Sequence, residues 1–302
     1  MSARIIDGNA VSRKIRSDCA ERVARLRAER NVTPSLAVII VGDDQASRIY
    51  VRNKMKAAED VGVISRLHDF AADADPDLVL HLIDRLNDDP LVHGILVQLP
   101  LPPQFNIYSV LHRIHPRKDV DGFHLYNVGG LVVGRTVFSP CTPYGVMKLL
   151  QHVGIEVAGQ NAVIVGASNI VGKPMALMLM QQEATVAICH ARTRDLAQFT
   201  ILADILVVAA GVPGLIVPQM VKSGAVVIDV GINRLPSGKI VGDVDFEGVR
   251  GKASYITPVP GGVGPMTVTM LISNTILSAE QASAAPALDD PFARADIPLE
   301  QI

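Results

Sequence analysis

Tyr50 and Lys54 stand four residues apart in a stretch whose pattern predicts a helix over 47–61. That spacing sets both side chains on one helix face, about 5–6 Å between Cβ atoms, where a phenol can orient or polarise an amine as an acid–base pair. A helical lysine is as a rule a solvated charge and a tyrosine a packing residue with a wet hydroxyl, so the spacing alone leaves both readings open. Gln98 closes the apolar run Gly94-Ile-Leu-Val. Ligands of open α/β sheets sit outside the carboxyl ends of strands, and Gln98 reads either as a ligand contact or as an amide capping the proline turn that follows. Asp119 and Asp121, in Lys-Asp-Val-Asp-Gly-Phe at 118–123, read first as turn residues, because Asp-Gly is a turn signal on its own. Two carboxylates two apart do not make a metal site without partners.

A second constellation begins after the apolar run 162–165. The chain passes into Gly166-Ala-Ser-Asn-Ile-Val-Gly172 and then an apolar helix over 175–180, so strand, glycine turn and helix come in dinucleotide-binding order. Gly166 permits a tight turn, Ser168 leaves backbone room and adds a hydroxyl, Gly172 permits close helix packing, and free N–H groups at a helix start attract phosphate. The letters depart from strict G-x-G-x-x-G, which leaves an ordinary strand-to-helix turn as the alternative. At the end of the next strand, where an NAD-type domain carries an acidic residue, this chain has Cys189-His-Ala-Arg-Thr193. A cation at Arg192 suits a 2′-phosphate, although an arginine in a loop is also simply solvated. The two features together favour NADP over NAD.

The elements that must hold these residues follow from periodicity. Val11, Ile15, Cys19, Val23 and Leu26 predict an amphipathic helix over 10–30, capped by Asp7 or Asn9, and 75–86 reads as another helix. The unbroken apolar runs 36–41 and 94–98 suit strands buried on both faces of a parallel sheet. The passage 118–143 is rich in Gly and Pro and reads as loop and interdomain crossing. Beyond it, runs at 162–165, 185–188, 205–209 and 225–229 predict a doubly wound α/β domain. A last helix is expected over 266–279, and the Ala/Pro/Asp-rich residues 281–302 as a variable, mobile tail.

Composition excludes several classes of protein. The 302 residues suit about two domains, and 49% hydrophobic against 19% charged residues describe a compact globular chain. A net charge of −2, from 28 basic and 30 acidic residues without a run of five or six like charges, argues against a nucleic-acid or membrane partner. Cys19, Cys141 and Cys189 form no CxxC pair, the eight histidines show no ligand spacing, and the charged N-terminus is unlike a signal peptide. A cytoplasmic protein with no metal is the reading.

Six segments occur in the order of a known family: GDDQASRIYVRNK at 42–54, VQLPLP at 97–102, KDVDGFH at 118–124, PCTP at 140–143, GASNIVGKP at 166–174 and TPVPGGVGPMT at 257–267. Through them the chain resembles, over roughly residues 3–280, the bifunctional methylenetetrahydrofolate dehydrogenase/methenyltetrahydrofolate cyclohydrolases of the FolD family. The resemblance implies an α/β protein of two domains. Residues 1–138 would be the catalytic, folate-binding domain, with 266–280 returning to it as the last helix. Residues 139–265 would be a Rossmann-like NADP-binding domain, and the protein a homodimer. It implies Lys54 as the catalytic lysine, Tyr50 and Gln98 as its partners, and Asp121 as the pterin-binding aspartate. Pro260, Gly261 and Gly262 would line the substrate side. Gly166, Ala167, Ser168, Ile170, Val171, Arg192, Thr193, Gly211 and Ile232 would meet NADP. Many relatives carry arginine where this chain has Ala167, which puts more of any 2′-phosphate recognition on Arg192.

The implied chemistry agrees with these residue types. Hydride leaves a methylene carbon between two nitrogens whose lone pairs stabilise the amidinium cation formed, so that step mainly needs positioning. Hydrolysis of the methenyl cation needs an activated water and a proton shuttle, which a desolvated lysine near positive charge supplies. A Tyr-x-x-x-Lys helix also suggests short-chain dehydrogenases, but those place the glycine turn before that helix, and here it follows by more than a hundred residues. A dehydrogenase without the second activity, and a non-catalytic NADP-binding protein, are the alternatives.

Overall fold

A computed structural model of the chain describes residues 2–284. β1 (Arg4–Ile5) leads into α1 (Gly8–Arg30), which is capped by Asp7 through a bond from Ala10 N at 3.1 Å. β2 (Ser35–Val41) is buried along its whole length, as its unbroken apolar run requires. α2 (Gln45–Asp60) follows, capped by Asp44, which accepts from Ser47 N at 2.7 Å. β3 (Ile64–Phe70), α3 (Pro76–Asp88) and β4 (Gly94–Val97) complete a three-stranded parallel sheet in the order β3-β2-β4.

α4 (Ile107–Arg113) precedes the passage 118–143 expected to be loop, which contains α5 (Leu125–Val133) and, at its end, the start of α6 (Cys141–His152). This corrects the loop reading. His124 caps α5 by accepting from Tyr126 N at 3.0 Å, and Gly130 lets the helix approach the returning chain: a Cβ there would fall 2.6 Å from Arg135 O. Gly130 thus serves close packing inside a helix, a role that looks identical to a turn in the sequence, while Gly129 is exposed with open space around it.

The second sheet is built from β5 (Asn161–Val165), α7 (Gly172–Gln181), β6 (Thr185–Cys189), α8 (Ala197–Thr200), β7 (Ile205–Val208) and β8 (Val226–Asp229). A hairpin of β9 (Asn233–Arg234) and β10 (Ile240–Val241), then α9 (Phe246–Arg250), β11 (Tyr255–Ile256) and α10 (Val263–Ser283), close the described chain. Six parallel strands run β1-β11-β8-β7-β5-β6, so the N-terminal strand hangs on the second sheet. β6 lies on one side of β5 and β7 on the other, which puts the topological switch at the carboxyl ends of β5 and β7.

α10 packs on α1, α6 and α2 and reaches the small sheet at β2 and β4. Met266, Leu271, Ile272 and Ile276 of α10 are all buried, each side chain stabilising the fold by roughly 1.5–3 kcal/mol. Residues 285–302, which hold most of the expected tail, lie outside the described residues.

Candidate active site

Lys54 is carried on α2 with Tyr50 one turn before it. Its side chain is only 7% exposed, and its ammonium donates to Gln98 Oε1 at 3.0 Å. Gln98 lies just past β4, its backbone N–H bonded to Ile39 O of β2 at 2.9 Å and its Nε2 donating to Leu99 O at 2.6 Å. The amide oxygen is therefore aimed at Lys54, which joins the two open readings of Gln98: it braces the proline turn and holds the lysine. Asp121 belongs to the same cluster. Burial pushes its carboxyl up, while the positive charge of Lys54 and the thiol of Cys141 pull it back down. Asn274 of α10 donates to Val120 O at 2.8 Å and Ser139 O at 3.2 Å, so the last helix positions the Asp121 loop.

Asp119, read as a turn residue, is 1% exposed and accepts from His124 N and Asn127 Nδ2, both at 2.8 Å. Burial pushes its carboxyl up to about 6. Asp119 opens the turn 119–122, with Gly122 N donating to Asp119 O at 3.0 Å as the turn reading expects, and its buried carboxylate also braces the loop and the start of α5.

Tyr50, Ile232, Pro260, Gly261 and Gly262 meet in one cleft of about 470 Å³ between α1, α2, the end of β8 and the loop 258–265. A Cβ on Gly264 would lie 3.9 Å from both the Tyr50 hydroxyl and Ile232 Cδ1, so the two face each other across that glycine. Burial pushes the Tyr50 phenol up. Lys54, Gln98 and Asp121 do not line this cleft; they form their cluster one helical turn along α2 from Tyr50.

Gly166, Ala167, Ser168, Ile170, Val171, Arg192 and Thr193 lie apart from that cleft, at the carboxyl ends of β5 and β6. A Cβ on Gly166 (φ +118°) would sit 2.1 Å from Ala209 O, and one on Gly172 would sit 1.9 Å from Gly166 O. Only glycine allows the turn to close onto the loop after β7, and this cradle is what a pyrophosphate needs. Ser168 Oγ accepts from Val171 N at 3.1 Å and Gly172 N at 3.3 Å, which stiffens the turn. Gly166 N donates to Cys189 O at 2.9 Å and ties the turn to the end of β6. Three residues on, Arg192 is exposed, with its backbone N–H bonded to His190 Nδ1 at 3.1 Å, while Thr193 Oγ1 accepts from His190 N at 2.9 Å. The residues present fit a dinucleotide carrying a 2′-phosphate.

Sequence reasoning missed the group that sets the loops after β7 and β8. Asp243 Oδ2 accepts from Ala210 N at 2.7 Å and Gly211 N at 2.8 Å, and its Oδ1 accepts from Asn233 Nδ2 at 2.7 Å. Asp229 accepts from Gly231 N at 2.9 Å and from Asp243 N and Val244 N, both at 3.0 Å; burial nevertheless pushes its carboxyl up to about 6. No local pattern marks this group; its tightness shows only in the fold, where a Cβ on Gly231 would fall 2.3 Å from Asp243 Cγ and one on Gly242 would fall 1.9 Å from Asp229 Oδ2.

A glycine-tight phosphate turn at the switch point of one sheet, with a cleft and a lysine cluster held by another, is the build of a two-domain nicotinamide-dinucleotide enzyme. The chain belongs to the tetrahydrofolate dehydrogenase/cyclohydrolase family: the family's catalytic-domain profile matches residues 6–121, and its NAD(P)-binding-domain profile matches residues 140–283. It is 61% identical to the bifunctional protein FolD of Nitrosospira multiformis over 94% of this chain and 98% of that one. Its fold is similar to the crystal structure of the bifunctional FolD enzyme of Campylobacter jejuni, with TM-score 0.91 and 52% identity over 92% of this chain and 99% of that one. The FolD of Trypanosoma brucei, solved with NADP and an inhibitor, matches with TM-score 0.91 and 39% identity over 94% of this chain and 100% of that one. Among the described residues no helix is long and apolar enough to cross a membrane.

Proposed function

We propose that this protein oxidises 5,10-methylenetetrahydrofolate to 5,10-methenyltetrahydrofolate with NADP and hydrolyses the product to 10-formyltetrahydrofolate in the same site. The observation that carries the reading is Lys54: a nearly buried ammonium bound to Gln98 and coupled to Asp121, one helical turn from the Tyr50 wall of the cleft. Residues 1–138 with 266–280 form the folate-binding part, and 139–265 the dinucleotide-binding part.

Asp121 accepts paired hydrogen bonds from the amino-pyrimidine edge of the pterin and fixes the ring clear of the reacting carbon. Tyr50 packs beside the substrate, and Pro260, Gly261 and Gly262 close the other wall. The Gly166 turn, with Ala167, Ser168, Ile170 and Val171, holds the pyrophosphate. Arg192 and Thr193 hold the 2′-phosphate, while Gly211 and Ile232 flank the nicotinamide end. A bound NADP would supply the acceptor for the hydride of the methylene carbon. In the hydrolysis, Lys54 acts as the neutral amine, its ammonium having first released a proton to solvent: it takes the proton of the attacking water as the new C–O bond forms and returns it to the ring nitrogen as the C–N bond breaks, with Gln98 keeping the amine aimed. No metal has a part in either step.

The protein acts as a homodimer. β3 is an edge strand whose outer edge is unpaired among the described residues, with Ile64 44% and Leu67 43% exposed, a surface suited to a second copy. Three buried free cysteines suit the cytoplasm. The test is an absorbance assay of purified protein with 5,10-methylenetetrahydrofolate and either NADP or NAD, following reduced cofactor and methenyl product as separate signals. Reduced cofactor without lasting methenyl accumulation is expected, faster with NADP; no turnover with either dinucleotide overturns the proposal. Light scattering should give twice the chain mass.

A further inference from the structure

α4 belongs to the folate-binding part of the chain, yet one of its side chains reaches the phosphate turn of the other part. Asn169 Nδ2, in the middle of that turn, donates to the Tyr108 hydroxyl at 3.4 Å. The direction of the bond is set from the far side of the same amide: Lys173 Nζ donates to Asn169 Oδ1 at 2.7 Å, which leaves the NH2 group to face Tyr108. A phenol both accepts and donates. Asn169 takes up its accepting side, and among the described residues the Tyr108 O–H donates to no protein group. Tyr108 is 61% exposed, and the polar tip of such a side chain ordinarily ends in water. Here the ring is held in place. It is tilted on His112 with centroids 6.0 Å apart, and His112 meets the ring of His124 edge-on at 5.6 Å. His124 is in turn rooted in the Asp119 loop, its backbone N–H donating to that carboxylate at 2.8 Å. A stack of rings fixed in one domain thus presents an unused O–H donor at the anion cradle of the other.

We propose, on the dinucleotide reading of the Gly166 turn, that Tyr108 completes the cofactor site from the folate-binding domain, its hydroxyl donating to a pyrophosphate oxygen of the bound dinucleotide. The turn and the first N–H groups of α7 meet that anion from one side, and the phenol meets it from the other. A hydrogen bond to an ionised acceptor is among the stronger ones. Because the donor and the turn belong to different domains, the bound pyrophosphate also ties the two together, which sets the dinucleotide against the folate-binding part. The pyrophosphate is common to NADP and NAD, so Tyr108 acts on both, unlike the 2′-phosphate contact assigned to Arg192.

The experiment titrates the full-length protein with NADPH and with NADH, reading the fluorescence of the reduced cofactor, and measures adenosine 2′-monophosphate, which has no pyrophosphate, as a competitor of NADPH. Tyr108→Phe keeps the ring and removes only the hydroxyl. It is expected to raise Kd for NADPH and for NADH alike by about ten-fold, the low end for a hydrogen bond to a charged group. Binding of adenosine 2′-monophosphate should stay at the wild-type value, and so should kcat and KM for hydrolysis of supplied 5,10-methenyltetrahydrofolate, which needs no dinucleotide. A Tyr108→Phe protein that binds both dinucleotides as wild type does, or that is weakened toward NADPH alone, overturns the proposal. So does one that loses adenosine 2′-monophosphate or methenyl hydrolysis to the same degree, since Tyr108 is then a structural bridge between the domains. A wild-type protein that binds neither dinucleotide overturns the dinucleotide reading and the proposal with it.

Discussion

Replacing Asp243 tests whether the second sheet's loops are held by one carboxylate. The group is fully buried and takes three donors, Ala210 N, Gly211 N and Asn233 Nδ2, at 2.7, 2.8 and 2.7 Å. Hydrogen bonds to a charged acceptor contribute about 1.5–3 kcal/mol each, and a buried donor left alone costs about 1–3 kcal/mol. Three such bonds on one side chain are not additive, and water entering the vacated space recovers some of the loss, so Asp243→Ala should cost about 4 kcal/mol. Asp243→Asn is different. Its carbonyl can face the two backbone donors, while the Asn233 amide turns over to accept from the new NH2 group. The count of bonds survives and only the charge is lost, for about 1–2 kcal/mol. Guanidinium unfolding followed by circular dichroism, with an unchanged m-value, reads both numbers. Kinetics of Asp243→Asn separate stability from function: KM for NADP should rise because Gly211 N is then held by a neutral and weaker acceptor, while hydrolysis of supplied 5,10-methenyltetrahydrofolate, which needs no dinucleotide, should persist. An Asp243→Ala protein within about 1 kcal/mol of wild type, or an Asp243→Asn protein that loses hydrolysis as much as oxidation, refutes the reasoning.

Other perturbations separate the remaining parts. Lys54→Met should lower methenyl hydrolysis by about 10²–10⁴-fold, the usual worth of a proton-transferring side chain; near-normal hydrolysis removes Lys54 from that role. Arg192→Ala should raise KM for NADP about ten-fold and leave NAD almost unchanged, and equal losses for both dinucleotides contradict the 2′-phosphate assignment. Asp119 should titrate by carbon-detected NMR at about 6, above the roughly 3.9 of an unfolded aspartate. Because the folded value is the higher one, its contribution to stability is fully present below about 4 and is lost as pH rises through about 6. Asp119→Asn should therefore flatten the fall in unfolding free energy over that window by roughly 2–3 kcal/mol, and an unaltered profile shows that the carboxyl titrates normally.

What was legible in the sequence is what local periodicity and local chemistry determine. β2 and β4 announce themselves because a strand covered on both faces must be apolar throughout. β3 does not: as an edge strand it alternates around Ser65, Arg66, His68 and Asp69, and its pairing with β2 supplies the stability its own pattern lacks. β1 and β11 are two residues each and exist only because the sheet receives them. The Gly166 turn was readable from strand, glycine and helix in order, whereas the reason Gly166 must be glycine is Ala209, 43 residues away.

The site divides in the same way. The pairing of Tyr50 with Lys54 follows from four residues of helix, and the place of Gln98 from the end of a strand. That Gln98 reaches Lys54, that Asn274 holds the Asp121 loop, and that Asp243 gathers Gly211 and Asn233 are long-range facts. No window of sequence contains them, because a hydrogen bond between distant residues depends on how helices and sheets pack, and packing is settled by the whole apolar surface at once. The sequence by itself determined which groups were available and the local elements that carry them. The tertiary structure alone decided which of those groups meet, since burial sets both the partners a side chain finds and the cost of leaving it without one.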